Sequence, residues 1–125
     1  MNTAWSHLPN ATAIDRIIAD VKTNGTAWSQ ARSQAWDAAW SQAWDAARSQ
    51  ARSAAWDAAM DAVGDAAWSR ARDAAWSAII ALIAWDNCGH LLDNDPKHVH
   101  LLALLGQPAA VLLLPAMIAL NKGDR

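Results

Sequence analysis

From Trp28 to Ile79 the chain repeats on a beat of four, and thirteen tetrads run without a slip. The lead position holds Trp28, Arg32, Trp36, Trp40, Trp44, Arg48, Arg52, Trp56, Met60, Gly64, Trp68, Arg72 and Trp76. Ser or Asp always follows it. The third position is Ala or Gln, with one Arg at 70, and the fourth is Ala except at Val63 and Ile79. Alanine at this density predicts helix, because no residue has a higher helix propensity. The Ala, Asp and Gln content excludes strands. A four-residue period is not the helical period, however. At about 100° per residue the lead column drifts roughly 40° per tetrad, so nine tetrads carry it right round the helix. Four or five tetrads stay within about half the circumference, which suits a packed helix.

Three arrangements satisfy this arithmetic. The repeat breaks into helices of moderate length, one long helix is wrapped by partners on all sides, or the helix joins a right-handed supercoil. A single helix over 27–86 would be about 90 Å long, too long for a compact monomer of 125 residues. The best break is Val63–Gly64–Asp65, with Gly64 ending one helix and Asp65 capping the next. RSQARS, residues 48–53, is the second candidate.

The flanks read as more ordinary helices. Ile14, Ile17, Ile18 and Val21 fall on one helical face. Thr12 with Asp15 resembles a capping box, Pro9 and Asn10 are turn signals, and Asn24–Gly25 predicts a left-handed stop. Beyond Gly64, Trp68, Trp76, Ile79, Ile80, Leu82 and Ile83 share one arc of the wheel. Asn87 and Gly89 mark the end of that helix. Asp95–Pro96 opens a new helix that stops at Gly106. Pro108 opens another, and Pro115 is expected to bend or interrupt it. The expected fold is all-α and one domain. It has an N-terminal amphipathic helix (1–25), tetrad-repeat helices broken near Gly64 (26–86) and a C-terminal helical cap (87–125).

Composition narrows the chemistry. All twelve acids are Asp and ten bases oppose them, for a net charge of −2. With neither a basic excess nor a basic stripe, the chain does not read as a nucleic-acid binder. The single cysteine, Cys88, excludes an intramolecular disulfide and fits a reducing compartment. The N-terminus has neither the basic nor the apolar region of a secretory signal.

The chemistry-bearing candidates are few. Arg32 lies between Trp28 and Trp36, Arg72 between Trp68 and Trp76, and Arg48 with Arg52 between Trp44 and Trp56. Residues four apart are neighbours on a helix, so each guanidinium can stack on indoles. Trp and Arg are also the residues enriched at interface hot spots. The lead-column tryptophans, Trp40 among them, and the lead-column arginines are therefore the candidate interaction surface, and internal packing is the competing account of the same ladder. Cys88, His90, Asp93, Asp95, His98 and His100 are close in sequence, but their spacing matches no metal motif, so no metal or cofactor is expected. No phosphate loop, nucleophile elbow or zinc-protease motif is present, and no enzyme is expected. Residues 99–120 are apolar enough for a membrane reading, but Gly106-Gln107-Pro108 divides them into pieces too short to span.

The tetrads AWDA, AWSQ, AARS and AAWD resemble the alanine-rich tetrapeptide tracts of uncharacterised bacteriophage and bacterial proteins. The tail from AWDNCGHLLD to VLLLPAMIAL resembles the ending of such phage-type proteins. The resemblance implies a small accessory protein in the cytoplasm of a bacterial host cell, acting by binding a host or viral protein. It assigns no functional residues. The expected function is non-enzymatic protein–protein contact, with self-association into a homo-oligomer. A membrane-associated protein using 99–120 and a structural or scaffold protein of a virion are the alternatives.

Overall fold

A computed structural model describes residues 5–34, 40–50, 54–64, 69–85, 88–93 and 108–121. The described residues are all-α, without a strand. In chain order the helices are α1 (Ala11–Thr23), α2 (Gly25–Gln34), α3 (Trp40–Gln50), α4 (Ala54–Val63), α5 (Ser69–Ala84) and α6 (Pro108–Asn121), with a 3₁₀ segment at Gly89–Asp93 before α6. The expected helix over 95–106 lies outside the described residues.

Helix α1 buries Ile14, Ile17, Ile18 and Val21, the face its spacing predicts. Its ends differ from expectation. The N-cap is Asn10, without a side-chain capping bond. Thr12 lies inside the helix, and Asp15 accepts a hydrogen bond from the Trp5 indole at 2.8 Å, so the capping box does not form. The helix stops at Asn24 as expected, but with φ −127°. Gly25 opens α2 rather than adopting a left-handed turn.

The repeat supplies four described helices, α2 to α5, and not one rod. The break at Gly64 takes the left-handed form, with φ 58°, and its N–H donates to the Met60 carbonyl. Of the second candidate break, residues 48–50 are the last turn of α3, and 51–53 lie outside the described residues. In one unbroken helix Trp44 and Trp56 would lie about 18 Å apart along the axis. Their ring centroids are 5.8 Å apart, so α3 and α4 fold against each other.

Helix α5 is the axis of the molecule, with α1, α2, α3, α4 and α6 all packed against it. Burial runs round its circumference: Ala71, Ala74, Ala75, Ser77, Ala78, Ile79, Ile80, Ala81 and Leu82 are all buried. Helix α6 is nearly as enclosed, with Ala110 to Leu114, Ala116, Met117 and Ala119 in the core. Pro108 opens it as predicted, and Pro115 sits inside it without ending it. Proline has no N–H for the Val111 carbonyl. One residue on, the Leu112 carbonyl accepts the buried Ser77 hydroxyl of α5 at 2.9 Å.

Candidate functional site

Which tetrad position faces the core decides what the repeat can offer to a partner. The fourth position does. Ala31, Ala43, Ala47, Ala59, Val63, Ala71, Ala75 and Ile79 are its members with described side chains, and none is more than 4% exposed. The second position mostly faces outward: Ser41, Asp45, Ser49, Asp57 and Asp61 are exposed. The four-residue beat works because each helix carries one to three fourth-position residues. Over so few tetrads the drift is at most about 80°, which an apolar stripe of ≳100° accommodates. The column's small side chains let helix axes approach closely, since axial separation follows side-chain size at the contact.

The lead column is the shoulder of each helix, next to the buried column. There the tryptophans divide. Trp28 is fully buried, and its indole donates to Asp20 Oδ2 at 2.7 Å. It belongs to the core, which removes it from the adhesive face that the sequence pattern suggests. Trp44, Trp56 and Trp76 are half-buried, packing one side on the core. Arg48 is exposed and Arg72 half-buried. Arg32 and Trp40 lie on α2 and α3, described at the level of the backbone. Trp36, Arg52 and Trp68 lie outside the described residues.

Two clusters emerge. In the first, Trp44 of α3 meets Trp56 of α4 edge to face, at 5.8 Å and 73°. This geometry is worth about 0.5–1.5 kcal/mol beyond area burial. One turn beyond Trp44 is exposed Arg48, and one turn beyond Trp56 is half-buried Met60. In the second, the Arg72 guanidinium carbon sits 5.9 Å from the Trp76 ring centroid, within cation–π range. The i, i+4 stacking expected from the sequence therefore forms at this pair. The Trp76 Nε1–H is buried without a hydrogen-bond acceptor among the described residues.

The other candidates carry less chemistry. Cys88 is buried, and its thiol donates to the Trp85 carbonyl at 3.1 Å and to that of Ala81 at 3.4 Å. Asp93 pairs with Arg16 at 2.8 Å, and His90 is exposed. Among the described residues no group of three or more His, Cys, Asp or Glu is placed to hold a metal ion. Asp95, His98 and His100 lie outside them. No helix among the described residues is long and apolar enough to cross a membrane, and the apolar run from 109 onward is taken up by the core.

Sequence reasoning missed one long-range lock. Asn10 Nδ2 donates to the carbonyls of Leu82 at 2.9 Å and Trp85 at 3.0 Å. These carbonyls sit at the C-terminal end of α5, where the helix itself provides no donors. Gly89 closes over the Asn10 side chain, and a Cβ there would collide with Asn10 Oδ1. Only the turn signal at 9–10 was visible in the sequence; nothing local pointed to a partner some seventy residues away.

No protein-family model matches the chain, and neither a curated protein nor a solved structure shows significant similarity to it.

Proposed function

We propose that this chain is a non-enzymatic protein–protein interaction module that uses the lead-column shoulder of α3 and α4 as its contact surface. One observation carries the reading. The repeat buries its fourth-position alanines and leaves Trp44 and Trp56 half-exposed beside exposed Arg48. Indole edges are costly to leave in water, and Trp with Arg dominates interface energetics. The finer reading is a phage-type accessory protein whose partners are a host or viral protein and a further copy of itself. It rests on the tetrad resemblance. The membrane alternative is the weaker reading, because α6, the described part of 99–120, is largely buried within the core.

The test is a Trp44→Ser/Trp56→Ser double variant. Circular dichroism follows the fold, and photo-crosslinking from a reactive group placed at exposed Ser49 follows contact. The reading expects retained helicity and loss of the crosslinks that the parent protein forms. Unfolding of the double variant would show that both rings are core. A parent protein that crosslinks to nothing, itself included, would remove the module.

A further inference from the structure

We infer that the α3/α4 shoulder docks on the same shoulder of a second copy of this chain, about a twofold axis. This rests on the interaction reading above and names one partner for it. The surface has an apolar centre, Trp44, Trp56 and Met60, all half-buried. It has a cation on its α3 side, exposed Arg48, and exposed carboxylates Asp57 and Asp61 on its α4 side. None of these three charged groups has an ion pair among the described residues. A twofold contact presents each surface to itself, so the surface must be self-complementary. A centre of indole edges meets its own copy, and the α3 cation of one protomer meets the α4 carboxylates of the other, twice. Asp45 is also exposed on α3, so the shoulder carries more acid than base. Burial of indole and thioether surface therefore drives association, and the Arg48-to-carboxylate pairing sets orientation and register.

Charge reversal tests this without touching the core, because all three charged residues are exposed. The measurement is mass by sedimentation or light scattering over a concentration series, with helicity checked for every variant. The parent protein is expected to dimerise. Arg48→Asp alone and Asp57→Arg/Asp61→Arg alone each place like charges opposite one another, and each raises the dimer dissociation constant about tenfold or more. Mixing the two variants restores both pairings, so a mixed dimer forms with near-parental affinity. A parent protein that stays monomeric overturns the self-docking inference and leaves a foreign protein as partner. A parent dimer indifferent to both charge variants, or variants that fail to rescue each other on mixing, overturns this interface. If that dimer is still lost in the Trp44→Ser/Trp56→Ser variant, the interaction reading survives without the twofold pairing.

Discussion

Three tryptophans with the same side chain do different work, and the polar tip shows which. Trp5 and Trp28 are buried and each donates its N–H to an Asp of α1, Asp15 and Asp20. The Trp76 N–H has no acceptor among the described residues. Trp28→Phe therefore loses a charge-assisted hydrogen bond and leaves a void, at about 2–4 kcal/mol. Trp76→Phe deletes an unsatisfied donor along with some ring area, and its cost stays within about 1 kcal/mol. Urea unfolding separates them, and equal costs would contradict the assignment. The Asn10 lock makes a second prediction. Gly89→Ala drives a methyl into the Asn10 amide, and Asn10→Ala strips two carbonyls of their donor, each at about 1–3 kcal/mol. The pair is strongly non-additive, because Asn10→Ala removes the atoms that the new methyl would strike. Additive costs would mean that the two residues act separately. At this scale the sequence told little. Asp20 reads as an ordinary acid on a helix, and its capture of an indole depends on where α2 turns.

Helix identity was far more legible than helix position. Alanine density fixed the repeat as helical, and the mismatch between four and 3.6 left short helices, enclosure or a right-handed supercoil. The molecule uses the first two: α2, α3 and α4 are short, and α5 is enclosed. Gly64 was readable as a break because a left-handed residue without a Cβ is the usual helix stop. Gly64→Ala brings a Cβ into ordinary contact with the Asp61 carbonyl oxygen but must hold φ 58°, at about 1–2 kcal/mol, read as a lower midpoint in thermal unfolding. An unchanged midpoint would mean that the turn is not held in that conformation. That α3 and α4 are not one continuous helix was only faintly legible, because RSQARS contains neither Gly nor Pro. The Trp44–Trp56 contact reveals it. Of the two effects expected at Pro115, a bend or an interruption, the interruption does not occur. A proline mid-helix usually interrupts, but the neighbours of α6 enclose it, and Ser77 supplies a donor to the adjacent carbonyl.

For the whole molecule, the repeat is a packing code before it is a surface. Among the described residues the fourth position goes to the core, the lead position mostly to the shoulder and the second position mostly to water. Period alone could not say whether Trp or Ala faced inward, because both recur every four residues and share the same drift. The choice is made by close helix packing, which favours the alanine column and pushes the indoles to the margin. That placement makes the proposed contact surface, so it is the claim to test first. The decisive measurement is the unfolding free energy of two adjacent variants on α3, Ala46→Leu and Ala47→Leu. Ala47 is fully buried, and Ala46, in the third column, is half-exposed. Overpacking should cost Ala47→Leu about 1–3 kcal/mol, against under about 0.5 kcal/mol for Ala46→Leu. Equal costs, or the reverse order, would contradict an alanine-faced core and with it the shoulder on which the function is built.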